Sequence, residues 1–261
     1  MTDLTAVVLT KDEEAYIADC LKSLQWCDRV LVLDSLSADR TVEIARELGA
    51  EVVLRPFQNF ADQRNAAIGL VSSEWILFVD ADERVSTELA EEVRAVIRLS
   101  EFDGWWVPTK NNYFGRWLSY GGFYPDYHLR LARKARLRFD ALQRVHEHPT
   151  LQGKAGYLRN PLIHLCYQSL AELRATKARY AALLAEIHFE KGTVPTYHLI
   201  AAPILTFGEQ LLVKKGYKDG WLGLFISLLW GYFAFDEYRR LLLLWLAAAK
   251  RKIVRPEGAS R

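Results

Sequence analysis

Four short apolar runs open the chain: Leu4–Leu9, Arg29–Leu33, Glu51–Leu54 and Trp75–Val79, all rich in Val, Ile and Leu. Runs of this length between polar segments predict buried strands. Between them apolar positions return at helical spacing: Ala15, Ile17, Ala18, Leu21 and Leu24, then Val42, Ile44, Ala45 and Leu48, then Ala61, Ala66, Ala67 and Leu70. Strand and helix alternating at this pitch predict right-handed crossovers and a parallel sheet. Ligands of such sheets bind beyond the carboxyl ends of the strands, so the residues at those ends are the first candidates for chemistry.

From Trp105 to His164 the apolar runs shorten and Pro and Gly punctuate them (Trp105–Pro108, Leu129–Leu131, Leu137–Phe139, Tyr157–Leu165), which predicts antiparallel strands and long loops. Ser169-Leu-Ala-Glu172 has capping-box spacing and opens a helix to about Glu190, stopped by Gly192 and Pro195. The rest reads as helical. Trp221–Phe235 is free of charge, but its 15 residues fall short of the roughly 20 that span a bilayer. Asp236, Glu237, Arg239 and Arg240 then interrupt before Leu241–Ala249. The expectation is an interfacial or re-entrant helical pair, with Trp and Tyr at headgroup depth and Lys250, Arg251, Lys252 and Arg255 facing anionic lipid. The alternative is a helical hairpin buried on the main domain or on a second copy of the chain, so the helical end could also dimerise.

At 261 residues the chain holds one α/β unit with an appendage, placed at 1–165 and 166–261. Hydrophobic residues at 51% and charged residues at 25% exclude a disordered or collagen-like chain. Three cysteines, Cys20, Cys27 and Cys166, have no paired spacing, which excludes a zinc knuckle and argues against a disulfide framework. The start lacks a basic and apolar leader, so the expectation is a cytosolic chain. The net charge of +2 hides an asymmetry: residues 1–100 carry 19 acidic and 10 basic side chains, and residues 101–261 carry 13 and 24. An acidic half can hold a metal with its anionic ligand, and a basic half suits phosphate or an anionic membrane surface.

Asp80-Ala-Asp82 follows directly on the run Trp75–Val79, at a strand end. Two neighbouring carboxylates repel unless a cation lies between them, and hard oxygen donors suit magnesium or manganese carrying a diphosphate. The same string also forms ordinary turns and helix caps. Asp34 ends another strand and is followed by Ser35-Leu-Ser-Ala-Asp39-Arg-Thr41; it can accept from the N–H of a nucleobase or serve as a hydrogen-bonded turn former, while Asp39 reads as a helix cap. Arg64, in Phe60-Ala-Asp-Gln-Arg64-Asn65, stands at the same edge, where a guanidinium can neutralise diphosphate charge. Arg130, Arg133, Lys134, Arg136, Arg138 and Arg144 form a basic run that suits acceptor phosphate, lipid headgroups or a solvated strand face. No nucleic-acid recognition motif accompanies it.

Taken in order, Thr10-Lys-Asp-Glu-Glu14, Asp34-Ser-Leu-Ser-Ala-Asp-Arg-Thr41, Gln63-Arg-Asn-Ala66 and Trp75-Ile-Leu-Phe-Val-Asp-Ala-Asp-Glu-Arg84 resemble the family 2 glycosyltransferases of the GT-A fold. The chain is most similar to their lipopolysaccharide inner-core β-glucosyltransferase subgroup, through Asp-Ala-Asp-Glu-Arg, Tyr124-Pro-Asp-Tyr-His-Leu-Arg130 and Val145-His-Glu147. The resemblance implies a GT-A domain followed by a membrane-associating helical region. It also implies inverting transfer of a hexose, with glucose from UDP-glucose the expected donor, onto a membrane glycolipid such as the lipopolysaccharide inner core. The enzyme would work at the cytoplasmic side of the inner membrane as a peripheral or monotopic protein. Thr10, Glu13, Asp34, Arg64 and Asp80 would then contact the UDP-sugar, with Asp34 on the uracil, and Asp80, Asp82 and His164 would hold Mg2+ or Mn2+.

Inverting transfer needs a general base opposite the leaving diphosphate. Glu147, in His146-Glu-His148-Pro149, is the first candidate and Asp126 the second; an ion pair with Arg138 or Arg144 is the bland alternative for Glu147. Asp12 stands where the family commonly has Asn, and Leu36 where it has Gly, which removes easy access to positive φ in that turn. The rival readings are transfer to a polyprenyl phosphate, which needs no base, and a membrane-bound module that binds nucleotide-sugar without turnover. A nucleotidyltransferase would want a Gly-rich phosphate loop where Lys11-Asp-Glu-Glu14 stands.

Overall fold

The computed structural model describes residues 3–99, 101–140 and 149–254. The chain divides into two compact units, Met1–Asn112 with Pro125–Cys166, and Tyr113–Tyr124 with Tyr167–Arg261. In the first, β1 (Leu4–Thr10), α1 (Ile17–Ser23), β2 (Arg29–Asp34), α2 (Thr41–Glu47), β3 (Glu51–Leu54), α3 (Phe60–Leu70) and β4 (Trp75–Asp80) alternate as the apolar pattern requires. They are followed by β5 (Glu83–Val85), α4 (Thr87–Leu99), β6 (Gly104–Tyr113), β7 (Arg116–Trp117), β8 (Asp126–Arg133), β9 (Leu137–Phe139), β10 (Pro149–Leu151), β11 (Ala155–Tyr157) and β12 (Leu162–Tyr167). The main sheet runs β3-β2-β1-β4-β8-β6-β12-β5. The pairs β3–β2, β2–β1 and β1–β4 are parallel, and β8 joins β4 antiparallel.

Both faces of the central strands are covered, which is why β1 and β4 read as continuous apolar runs instead of alternating ones. Leu4, Ala6, Val8, Trp75, Leu77 and Val79 pack on one face with Ile17, Leu21, Leu89 and Val93. Val7, Ile76 and Phe78 pack on the other with Ala61, Ala67 and Ile68 of α3. The run Tyr157–Leu165, expected as one strand, is two, β11 and β12, separated at Leu158–Pro161. β5, where the sequence suggested only a turn or cap, pairs antiparallel with β12 and sets His164 beside Glu83.

The second unit is helical: α5 (Leu170–Glu190), α6 (His198–Gly208), a π-helical turn Glu209–Val213, and α7 (Gly220–Val254). The capping box closes as expected, with Ser169 Oγ accepting from Glu172 N–H at 3.1 Å and the Glu172 carboxylate accepting from Gln168 N–H at 2.9 Å. The expected helical pair is one helix of 35 residues. Its charged stretch does not break it, because Asp236 pairs along the helix with Arg239 (i,i+3) and Arg240 (i,i+4), spacings that favour a helix. Phe189 and Trp245 meet edge to face, His198 stacks on Tyr238, and Asp219 accepts the N–H groups of Ser119 and Tyr120. Among the described residues no helix is long and apolar enough to cross a membrane.

One charged cluster sits inside the first unit. Arg130 of β8 donates through one nitrogen to Asp80 at the end of β4 and to Glu83 of β5, both at 2.7 Å, and Glu83 accepts the Asp80 N–H at 2.8 Å. Glu83 is fully buried and Arg130 nearly so. Burial pushes the Glu83 carboxyl up, the Asp80 charge adds to the rise, and Arg130 opposes it. Burial acts on Asp80 in the same direction, yet the guanidiniums of Arg130 and Arg64 outweigh it and hold that carboxyl well below the usual range. Removing one member of such a pair leaves an uncompensated charge. Arg130→Leu is expected to cost about 3–5 kcal/mol in denaturant unfolding at neutral pH. The gap to wild type should narrow as pH falls, since Glu83 can then neutralise itself and the wild type loses the Asp80 contribution that is present above the ordinary carboxylate range. A gap independent of pH would argue that lost packing, and not the buried charge, sets the cost.

Candidate active site

The parallel strands end together. In register Thr10 lies beside Asp34, and Leu9 beside Asp80, so β1, β2 and β4 present their carboxyl ends as one shelf. Asp34 is fully buried, and its oxygens accept from the Thr10 hydroxyl at 2.7 Å and from the Ser37 N–H and hydroxyl at 2.8 and 2.6 Å. This is the placement of a hydrogen-bonded turn former. Asp39 accepts from the Thr41 N–H and hydroxyl and from the Glu14 N–H, as a helix cap does. These bonds outweigh its desolvation and lower its carboxyl. Thr41 in turn accepts from Glu13 N–H at 2.7 Å.

Leu36 corrects an expectation. Without glycine the turn still takes positive φ, 64° at Leu36, and Asp12 opposite it has φ 56°. The two loops are stitched across: Asp12 N–H donates to Ser37 Oγ at 2.8 Å, Asp12 Oδ1 accepts from Ala38 N–H at 2.7 Å, and Lys11 Nζ donates to the Leu36 carbonyl at 2.6 Å.

α3 contributes three consecutive polar residues to three different tasks. Gln63 is buried and bonds Ser35 Oγ and both the side chain and carbonyl of Arg55. Asn65 uses its amide as a strand would, donating to the Phe139 carbonyl at 2.8 Å and accepting the Phe139 N–H at 3.0 Å. Arg64 lies over the rings of Phe78 and Phe139, 5.1 and 5.6 Å from their centroids, and reaches Asp80 Oδ1 at 3.4 Å. The aromatic rings hold the guanidinium at the shelf.

Asp82 and His164 meet: Asp82 Oδ2 and His164 Nε2 are 3.1 Å apart, and His164 Nδ1 is 2.8 Å from Asn111 Oδ1. Cys166 Sγ stands 3.2 Å from both Asn111 Oδ1 and His164 Nδ1. Burial works against the charged imidazole, but the bonds to Asp82 and Cys166 outweigh it and push His164 up to about 11. The 3.1 Å between Asp82 and His164 is that of a hydrogen bond from the charged imidazole, and a divalent cation would have to take the place of that proton. Imidazole nitrogen with carboxylate oxygen is a donor set such ions accept, and the Asn111 carbonyl on the far nitrogen would fix the ring. Asp80, expected as a third ligand, accepts from Arg130 and Arg64 and keeps 38% of its side chain exposed. Among the described residues no three His, Cys, Asp or Glu side chains converge as a metal-binding group.

Asp126, at the start of β8, is half exposed and pairs with His128 Nε2 at 3.1 Å. Burial raises its carboxyl, and His128 together with the more distant charges of Arg130 and His164 outweighs that and lowers it. Asp126 therefore shares the electrostatic neighbourhood of Asp80, Glu83 and His164. Glu147, with Arg144, His146 and His148, lies outside the described residues.

Sequence reasoning missed Glu83, Asn111 and the task of Arg130. Glu83 was legible as part of Asp-Ala-Asp-Glu-Arg, but nothing in the string tells a buried carboxylate from an exposed one. Among the described residues of the basic run only Arg130 is buried, Arg133 and Lys134 are half-buried, and Arg136 and Arg138 are exposed. Arg133 pairs with Glu74 and lies over Trp75, Arg138 donates to the Leu137 carbonyl, and Lys134 donates to the Val71 carbonyl.

The sequence profile of glycosyl transferase family 2 matches residues 5–165. The lipopolysaccharide core biosynthesis glycosyltransferase LpsC of Rhizobium meliloti (strain 1021) is 29% identical over 212 residues, covering 78% of this chain and 78% of LpsC. An uncharacterized glycosyltransferase of Rickettsia felis is 40% identical over 97 residues, which cover 37% of this chain and 34% of that protein. Among solved structures, S. aureus TarS 1-349 aligns over 95% of this chain and 91% of its own with 15% identity and a TM-score of 0.49. With the profile spanning more than half of its length and ending within β12, the chain belongs to glycosyl transferase family 2, on a GT-A-like α/β fold.

Proposed function

We propose that the chain transfers a hexose, glucose from UDP-glucose, with inversion onto a membrane glycolipid of the lipopolysaccharide inner-core type, at the cytoplasmic face of the inner membrane. The observation that carries the reading is the Asp82–His164 pair at 3.1 Å beside an Asp80 held by two arginines, on the carboxyl edge of the sheet. The likeness to LpsC, a lipopolysaccharide core biosynthesis glycosyltransferase, supports the acceptor class.

Asp82 and His164 would hold Mg2+ or Mn2+, which when bound offsets charge on the diphosphate. Arg64 faces the same charge and is kept from solvent by Phe78 and Phe139. Thr10, Glu13 and Asp34 serve the nucleotide end, Asp34 by fixing the turn that the nucleoside meets and by contact with the uracil. Asp126 takes the acceptor proton: ionised at neutral pH, it accepts the hydrogen from the attacking hydroxyl as the new C1–O bond forms and the C1–O bond to UDP breaks. His128 orients it.

Calorimetry with UDP, UDP-glucose, UDP-galactose and GDP-mannose, each with manganese and with chelator, tests the donor site. Uridine-selective binding that needs metal is expected; no binding of any nucleotide would sink the transferase reading.

Asp126→Asn should lower kcat by about a hundredfold or more while leaving donor affinity unchanged. Wild-type turnover would remove Asp126 as base. The role would then pass to Glu147, or, if the product forms on a lipid phosphate, no base would be needed.

A further inference from the structure

α6 (His-Leu-Ile-Ala-Ala-Pro-Ile-Leu-Thr-Phe-Gly) has no charged residue, and not one of its residues is buried. Ile200 is 71% exposed and Ile204 and Leu205 nearly as much. In the turn that follows, Leu212 and Val213 are 65% and 73% exposed and run directly into Lys214 and Lys215. On α7, Trp221, Leu224, Leu228, Tyr232 and Phe235 are exposed at spacings that put them on one face of the helix. The two surfaces join. A side chain at Gly231 would meet the Pro203 carbonyl of α6 at 2.9 Å, so α6 crosses α7 there. At about 100° per residue Gly231 stands about 60° round the helix from Leu228, at the edge of the exposed stripe.

A soluble surface does not ordinarily carry so large a contiguous apolar face. Its rim is basic and aromatic. Arg116 lies over the Trp221 ring at 5.6 Å, Lys218 over the Tyr120 ring at 5.1 Å, and Lys214 and Lys215 flank Val213, against Glu209, paired with Lys214, and Asp219, engaged by backbone N–H groups. Exposed aliphatic residues ringed by Trp, Tyr and Lys match a lipid interface, with the aliphatic groups below the headgroups and the ammonium groups among anionic phosphates. A second copy fits less well, because a two-fold contact on this face would turn the lysine cluster toward its own image. Arg239 interrupts the stripe, which resumes at the exposed Leu243 and Leu246, so α7 would lie along a bilayer and not cross it.

We propose that α6, the Leu212–Val213 turn and the exposed stripe of α7 form a wedge that seats in one leaflet of an anionic lipid bilayer. The proposal extends the reading of a membrane glycolipid acceptor and moves the contact from the basic tail Lys250, Arg251, Lys252 and Arg255, whose side chains lie outside the described residues, to the other end of the helical unit.

The full chain is floated with vesicles of phosphatidylcholine alone and of phosphatidylcholine mixed with phosphatidylglycerol. Wild type should bind both, the mixed vesicles more tightly. Leu212→Glu with Val213→Glu should weaken binding to either by about tenfold or more. Lys214→Gln with Lys215→Gln should weaken it on the anionic vesicles alone. Both pairs are exposed, and an unchanged far-UV spectrum and unfolding midpoint will confirm that the variants fold. Wild type that floats with neither vesicle, or glutamate variants that float as wild type does, would overturn the wedge. So would a dimer in sedimentation that the glutamate variants dissolve without any flotation, in favour of a second copy. Flotation uses neither donor nor acceptor, so intact flotation without nucleotide binding would remove the transferase reading and leave the wedge, and the reverse result would remove the wedge alone.

Discussion

The Arg130–Asp80–Glu83 contact is the constraint on which the candidate site rests. Taking a guanidinium and a carboxylate out of water costs several kcal/mol for each ion, and only close geometry returns it. The structure meets that condition in part: one arginine nitrogen makes two bonds of 2.7 Å and a backbone N–H bonds Glu83, while Arg130 Nε is buried with no hydrogen-bond partner. Because its members come from β4, β5 and β8, the cluster also ties the last parallel strand to the antiparallel part of the sheet. The Asp80–Glu83 turn is thereby fixed, and with it the direction of Asp82. β12, paired to β5 across His164 and Glu83, then delivers His164 to Asp82. A single buried arginine thus helps to set where the half-buried Asp82 and His164 meet.

The parallel half of the fold was legible because its strands are buried on both faces and therefore print as unbroken apolar runs, visible without knowledge of their partners. The antiparallel half was less so. β5 is three residues long and has no apolar run to announce it; it exists because β12 pairs with it. Tyr157–Leu165 divides into two strands because β11 and β12 both pair with β6 and only β12 also pairs with β5, an arrangement that sequence does not display. The continuity of α7 was hidden by four charges between residues 236 and 240, which suggest a break until their i,i+3 and i,i+4 pairing is seen.

The candidate site divides in the same way. Asp80, Asp82 and Arg64 were found because each follows a strand or opens a helix at the carboxyl edge, a position that local pattern reveals. His164 was reached through a resemblance, and its neighbour Asn111 through nothing at all, since their contact joins residues 53 apart. Asp34 shows the limit in the other direction. Its place at a strand end suggested a ligand contact, and the chain itself already bonds it, the Thr10 and Ser37 hydroxyls at Oδ2 and the Ser37 N–H at Oδ1. Residue type and position identify a polar group at an edge; only the tertiary partners decide whether it faces inward or outward.

Two of the four non-glycine residues with positive φ among the described residues, Asp12 and Leu36, face each other at this edge. A left-handed backbone costs about 1–2 kcal/mol for a residue with a side chain, and Asp12 and Leu36 both adopt it in facing loops. Three hydrogen bonds between the loops offset that cost and hold each turn to the other. Strain of this kind persists only where the surroundings over-determine it. The largely apolar strands β1 and β2 beneath supply that support, since they cannot shift without opening both core faces. The loops are therefore held to each other by the chain itself. A site that recognises a nucleotide by backbone and turn geometry gains from such preorganisation, because the ordering has been done in folding and is not charged against binding.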